Sequence, residues 1–212
     1  MFGRALLDSN RTDDLLTGEE LTSVGQMTAI VPVLAASAEG REILRERPRL
    51  SSATVDFAAL ADLPEGTLGR AYADHLARHG LDPDALTVPV TRGDDPLANY
   101  LLERVRQTHD IWHTLLGLGA QGHEEVLVHA FQWPQLGMPY SALVVLFGAI
   151  KHMAFEGRPA LLRYGLADAV AAGRAAAPLL AVRWERRWEQ PLARVREELR
   201  IRPASTWRGL AG

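Results

Sequence analysis

The sequence contains no cysteine, which excludes disulfides, zinc–thiolate sites and cysteine nucleophiles. Lysine is almost absent as well, because Lys151 is the single lysine among the 23 basic residues. No apolar run reaches the roughly 20 residues that a membrane-spanning helix needs. The longest run extends from Ala142 to Ile150. The N-terminus has no charged segment followed by an apolar one, so no signal peptide is predicted. These absences predict a cytoplasmic protein.

Charge and composition narrow the function classes further. A net charge of −3 predicts no binding to nucleic acid, which basic proteins bind through phosphates. The 212 residues are 47% hydrophobic and 23% charged, as in a globular protein with its own core. The arginine and alanine bias indicates a GC-rich bacterial source. We therefore expect an ordinary folded protein of bacterial origin.

The periodicity of apolar residues predicts an all-α fold, a single-domain helical bundle. Thr17 and Glu20 have the spacing of a capping box and predict the start of the first helix. The segment 88–91 is the one short β-like stretch, and Pro89 weakens it. The predicted organisation is a flexible N-terminal segment, a helical domain and a C-terminal tail, at residues 1–16, 17–203 and 204–212.

One helix is predicted most clearly. Asp95 suits its N-cap and Pro96 its first turn. One face then carries an i, i+4 stripe of Leu97, Leu101, Val105, His109 and His113. A run of glycines at 117, 119 and 122 ends this helix, and a second helix is predicted to start near His123 and to be interrupted at Pro134.

The stripe ends in a possible metal site. His109 and His113 lie one helical turn apart, so their imidazoles can chelate one divalent metal. Asp110 lies about 100° around the helix, where it can bind at the edge of the site or orient an imidazole. A continuous helix would carry Glu125 about 18 Å away. The glycines instead permit an antiparallel helix hairpin that brings Glu125 to His113.

Two imidazoles and one or two carboxylates favour zinc, iron or manganese. An equally open interpretation is that both histidines are hydrogen-bonded core residues. His129 is either an extra ligand or a residue around the site. Arg104 and Arg106 lie about one turn from His109 and are candidates for binding an anionic substrate group. His75, His79 and His152 are interpreted as isolated structural residues.

The sequence resembles the Coq-four family of ubiquinone-biosynthesis proteins. The pattern H-D-x-x-H-(x)11-E matches at His109, Asp110, His113 and Glu125. Residues 63–81 (LPEGTLGRAYADHLARHGL) and 177–198, with its paired tryptophans, add to the likeness. Glu124 departs from the family, which often has glycine there.

The resemblance implies an α-helical protein with a divalent metal bound by the motif, usually zinc, with magnesium as another possibility. It also implies a hydrophobic cleft for an aromatic or prenylated small molecule, peripheral membrane contact, a homodimer and contacts with other biosynthetic enzymes. The implied chemistry is oxidative decarboxylation of a polyprenyl hydroxybenzoate. The expected location is cytoplasmic, with contact to the inner face of the cell membrane.

Several functions remain open from the sequence. The first is a metal-dependent decarboxylase or oxidoreductase, with Glu125 and His109 as catalytic residues. The second is a prenyl-lipid-binding scaffold, suggested by the apolar stretch 142–150. A third is a natural-product enzyme acting on a non-prenylated substrate. A zinc peptidase would have glutamate at position 110, where this chain has Asp110. An HD-type phosphohydrolase would need further metal ligands, and the spacing of His75 and Asp168 from the motif does not support that role.

Overall fold

Ten α-helices build the fold of the computed structural model, which describes residues 12–154 and 159–208, and no strand occurs in these ranges. They are Thr12–Ser23 (α1), Val31–Ala35 (α2), Ala38–Glu46 (α3), Phe57–Ala61 (α4), Leu68–His79 (α5), Pro96–Leu116 (α6), Gly122–Leu136 (α7), Pro139–Ala154 (α8), Pro159–Ala175 (α9) and Leu192–Glu198 (α10). Short 3-10 turns lie at Val24–Ile30, Leu179–Ala181, Trp184–Arg186 and Ala204–Thr206. One continuous hydrophobic core joins these elements. The predicted all-α, single-domain fold is therefore confirmed.

Local signals in the sequence set the ends of the helix that carries the histidines. The Asp95 carboxylate accepts a hydrogen bond from the Leu97 amide at 2.8 Å, and Pro96 occupies the first turn of α6. Gly117 ends α6 with a φ of +69°, a left-handed conformation that favours glycine. Both predicted boundaries of this helix are confirmed.

Two other boundaries differ from the prediction. Helix α1 begins at Thr12 rather than Thr17, and Trp207 is fully buried within the predicted C-terminal tail. Helical or buried residues thus lie on both sides of 17–203, while residues 1–11 and 209–212 lie outside the described residues. The predicted division into a flexible segment, a helical domain and a tail stays a prediction. Helix α7 also continues through Pro134 to Leu136. Pro134 removes one amide donor from the hydrogen-bond ladder, and only Gln135 and Leu136 follow it in the helix.

Helix α6 lies in the interior, and this position brings its histidines into the core. Sixteen of its residues are buried, among them Leu101, Ile111 and Trp112. Its C-terminal turn is connected to α7 by residues 117–121. Helix α7 packs mainly against α8 and α9 rather than along α6, so the predicted antiparallel hairpin is not confirmed as a packing unit.

The contact between α7 and α9 is close because α9 has a glycine in its last turn. A Cβ atom added to Gly173 would lie 2.2 Å from the carbonyl oxygen of Phe131 on α7. This close approach fixes α7, and with it the position of Glu125, against the following helices. None of the described helices combines the length and apolarity needed to cross a membrane.

Candidate metal centre

Three side chains from two helices converge beside the glycine connection. His109 and His113 share one face of α6, and Glu125 lies in the first turn of α7. The two Nε2 atoms are 3.1 Å apart, and the Glu125 carboxylate oxygens lie 3.2 Å from His109 Nε2 and 3.3 Å from His113 Nε2. The predicted approach of Glu125 to His113 is therefore present in the structure, and the same carboxylate also reaches His109.

The connection between the helices orients one of these imidazoles. His113 Nδ1 lies 2.8 Å from the carbonyl oxygen of Gly119. Because a carbonyl only accepts, Nδ1 carries a proton, and this hydrogen bond turns Nε2 toward His109 and Glu125. Glu124 holds this loop, since its carboxylate accepts hydrogen bonds from the amides of Gly119 at 2.7 Å and Gln121 at 3.1 Å.

These distances suit a bound metal ion. All three ligand atoms lie within 4.8 Å of one another. Metal–nitrogen bonds of 2.0–2.1 Å in tetrahedral geometry would separate two ligand atoms by about 3.4 Å. The separations of 3.1–3.3 Å are close to that value. His109, His113 and Glu125 therefore form a possible metal-binding triad, and their donor atoms fit a borderline divalent cation.

Without a metal, His109 and Glu125 form a partly buried ion pair. Burial lowers the pKa of His109, but the hydrogen bond and the charge of Glu125 outweigh it and raise that pKa to about 9. Burial raises the pKa of Glu125, yet the charge of His113 and the hydrogen bonds from both imidazoles bring it well below its usual value. These pKa shifts indicate a protonated His109 beside an ionised Glu125. An incoming cation must therefore displace the His109 proton.

Two further residues named from the sequence lie around the triad. Asp110 lies outside the group of converging ligand atoms, and its role as a ligand stays a prediction. Burial raises the pKa of its carboxyl group. His129 is buried with its ring centroid 5.4 Å from that of His109, and Nδ1 lies 3.3 Å from the Ser141 hydroxyl. Burial and the charge of His109 lower the pKa of His129 to about 3, so this ring is neutral.

A cavity of about 130 Å³ opens beside His109. Apolar side chains form part of its wall, and the polar residues among its lining are Glu19, Arg106, His109, His129, Gln132 and Tyr140. Burial raises the pKa of both Glu19 and Tyr140, so the Tyr140 hydroxyl keeps its proton at neutral pH. The site thus combines a possible metal triad with a mixed cavity next to one of its ligands.

The two arginines proposed from the sequence occupy different places. Arg104 is fully buried, and its guanidinium donates to Glu185 at 3.1 Å and to the carbonyl of Val182 at 2.9 Å. It is absent from the lining of the cavity and acts as a structural tie. Arg106 does line the cavity, but it already donates to the carboxylates of Glu19 at 2.6 Å and Glu20 at 3.3 Å. Arg106 could bind an anionic substrate directly only if it gave up its hydrogen bonds with Glu19 and Glu20.

Sequence reasoning missed residues that come from distant parts of the chain. Glu19, on α1, and Tyr140, on α8, line the cavity, and no local spacing connects either of them to the histidine motif. His75 was interpreted as isolated, which is wrong, since its ring centroid lies 5.6 Å from that of His113.

Comparison with known proteins identifies relatives along almost the whole chain. The family described as "Coenzyme Q (ubiquinone) biosynthesis protein Coq4" matches residues 3–205. "Ubiquinone biosynthesis protein COQ4 homolog 1, mitochondrial" of Culex quinquefasciatus is 39% identical over 93% of this chain and 70% of its own. The corresponding proteins of Coprinopsis cinerea and Rattus norvegicus are 35% and 37% identical, over 96% and 95% of this chain and 70% and 75% of theirs.

A solved structure shares the fold. A putative ubiquinone biosynthesis protein of Nostoc punctiforme PCC 73102 superposes with a TM-score of 0.67 at 26% identity, over 82% of this chain and 80% of its own. The predicted cytoplasmic location, at the cell membrane's inner face, is wrong by these comparisons, because the relatives are named mitochondrial and point to that compartment. The bacterial source stays a prediction. With the match covering nearly every residue, the chain belongs to the Coq4 family of coenzyme Q (ubiquinone) biosynthesis proteins.

Proposed function

We propose that the protein is a metal-dependent enzyme that removes the ring carboxyl group of a hydroxybenzoate-like precursor, prenylated or not, in coenzyme Q synthesis. The observation that carries this proposal is the convergence of His109, His113 and Glu125 within 4.8 Å beside a cavity. The names of the relatives support the pathway but not this reaction.

The cavity supports an aromatic substrate. An engineered cavity of about 150 Å³ is known to accept benzene, so a volume of about 130 Å³ suits one aromatic ring. Leu16, Leu86 and Val105 supply apolar wall. A prenyl tail would then extend beyond the cavity, and a non-prenylated natural-product precursor would fit the same space.

The residues around the cavity have distinct roles in this proposal. A bound divalent metal, with zinc as the first candidate and iron, manganese or magnesium as others, supplies Lewis-acid chemistry. Glu125, His113 and His109 would hold that ion, and His109 would first have to lose the proton that it shares with Glu125. The Tyr140 hydroxyl remains protonated and can donate to a ring oxygen. Loss of the carboxyl as carbon dioxide breaks the bond to the ring and leaves an electron pair on the ring carbon. A proton must then form the new C–H bond, whereas an oxidative outcome needs a redox-active metal or a separate oxidant to accept electrons.

The test uses the metal-loaded protein with a hydroxybenzoate precursor labelled with ¹³C at the carboxyl group. E125Q should lower release of ¹³C-labelled carbon dioxide by at least about 100-fold, while circular dichroism shows an intact fold. The control is E197Q, since Glu197 is exposed and distant in sequence from the motif. Turnover that survives in E125Q would contradict the proposal, whatever the metal content.

A second candidate function is binding of prenyl lipids, with docking of partner enzymes. It is favoured by three exposed apolar side chains on α8, where Leu146, Phe147 and Ile150 are 55%, 41% and 49% exposed. Such a face suits a membrane surface, a second copy of the chain or a biosynthetic partner. A prenyl lipid that co-purifies without any turnover, and binding unaffected by E125Q, would favour this candidate over the enzyme.

A further inference from the structure

A second cavity, of about 240 Å³, lies beside the metal centre and shares no lining residue with the first. Helix α5 supplies Asp74, His75, Arg78 and His79, and the C-terminal part of α6 supplies His113. The His113 ring forms part of this wall, while its Nε2 and Nδ1 atoms are engaged with Glu125 and the Gly119 carbonyl. The second cavity is therefore a separate space rather than an extension of the proposed substrate site.

His75 is the side chain that indicates a ligand in this cavity. It is 6% exposed, and its buried Nε2 atom has no hydrogen-bond partner within the described part of the chain. A buried polar atom without a partner is costly, so a native fold keeps one where something else satisfies it. His75 does not belong to the group of converging metal ligands. The metal centre therefore does not explain this orphaned nitrogen.

The charges around the cavity favour an anion. Arg78 is exposed and makes no ion pair with any described residue. Arg196 lies nearby, since a Cβ on Gly117 would be 3.6 Å from its guanidinium, and it donates only to backbone carbonyls. The one carboxylate in the lining, Asp74, is paired with Arg70 at 2.9 Å.

Two of the other carboxylates nearby are engaged, whereas a third, Asp110, lies close enough to interact with the charges of His79 and His113. Glu124 accepts two amide hydrogen bonds, and Glu125 faces the two metal-site imidazoles. The His75 ring centroid lies 5.6 Å from that of His113 and 4.8 Å from that of His79. Among the described residues, Arg78 and Arg196 are therefore the cations around this cavity that make no ion pair with a carboxylate.

We propose that this cavity binds a small oxyanion, held by the Arg78 guanidinium and by imidazole N–H groups of His75 and His79. Arginine and imidazole donors are well suited to such a group. Two sources share this chemistry. One is bicarbonate formed from released carbon dioxide, an assignment that rests on the proposed function, and the other is inorganic phosphate.

The test is a titration of the full chain, labelled with ¹⁵N at the histidine rings, with bicarbonate and separately with phosphate at constant ionic strength and pH. We expect saturable shifts of the His75 and His79 ring resonances with at least one of the two anions. R78Q should weaken that binding at least tenfold, whereas R174Q, which removes another exposed arginine, should leave it unchanged.

Repeating the titration on metal-stripped protein and on E125Q separates this site from the proposed catalysis, since binding should persist in both. Tighter binding of bicarbonate or of phosphate identifies the source. Ring shifts that fail to saturate with either anion, or equal affinity in R78Q and the unaltered chain, would overturn the proposal. Because Arg78 is exposed, R78Q should fold normally, and H79Q provides a second variant with the same expected loss.

Discussion

Replacing Glu124 with alanine should weaken metal binding, although its carboxylate is not one of the three converging ligands. Its two oxygens hold the amides of Gly119 and Gln121, and the Gly119 carbonyl accepts the hydrogen bond that fixes the His113 ring. Loss of such an outer partner typically costs 10–100-fold in metal affinity, or about 1.4–2.7 kcal/mol. We therefore expect zinc affinity to fall by about that factor in E124A.

The same substitution removes an N-terminal cap from α7, because Glu124 and Gln121 form a capping box. That loss should lower the free energy of unfolding by about 1 kcal/mol. For a chain of this length, 1 kcal/mol corresponds to about 2–4 °C in Tm. If E124A loses much more free energy of zinc binding than free energy of unfolding, Glu124 acts as a positioning residue.

The assay is a competition titration of zinc against a chromophoric chelator at pH 7.5, with circular dichroism to confirm the fold. E124Q keeps one oxygen acceptor and should give an intermediate affinity. E197A removes an exposed glutamate elsewhere and should change neither quantity. If E124A loses stability but binds zinc within twofold of the unaltered protein, the Gly119 loop does not position His113 and the reasoning fails.

Three further outcomes are expected. G173A should lower the free energy of unfolding by about 1–3 kcal/mol in urea denaturation, because its Cβ would clash with the Phe131 carbonyl oxygen. G165A on the same helix would contact only the end of the Leu127 side chain, which can shift, so its free energy of unfolding should be nearly unchanged. Zinc affinity, measured by competition, should rise about tenfold per pH unit between pH 7 and 9, because binding must remove the His109 proton; a flat profile would show that His109 is already neutral. In the metal-free protein, His129 is neutral in the folded state but takes up a proton in the unfolded state. The free energy of unfolding should therefore fall as the pH drops from 6.5 toward 3, by up to about 1.4 kcal/mol per pH unit. The H129Q variant should lack this contribution.

The features predicted correctly from the sequence all depend on neighbours along the chain. An N-cap aspartate followed by proline, and a glycine that ends a helix, act within one turn, so the limits of α6 could be predicted. The spacing of His109 and His113 likewise places both rings on one helical face wherever that helix packs. The glycine-rich break allowed Glu125 to return to the pair, which the structure shows.

The parts that could not be predicted depend on which distant segments pack together. Arg106 was expected to bind an anion, but Glu19 and Glu20 come from α1, more than 80 residues away, to neutralise it. Helix α7 was expected to pair with α6, but the close approach at Gly173 draws it against α9. A helical periodicity identifies which face of a helix is buried but not the element that covers it.

The possible metal triad follows from local spacing, whereas both cavities are formed by elements that come together only in the folded chain. Under the proposed function, substrate choice would therefore depend on residues such as Tyr140, which no motif marks, while metal affinity would depend on the motif and on Glu124. Variants of the two groups should separate accordingly, with Y140F changing KM or the preference among hydroxybenzoates at unchanged metal content. A loss of bound zinc in Y140F would show that cavity and metal centre form one cooperative unit.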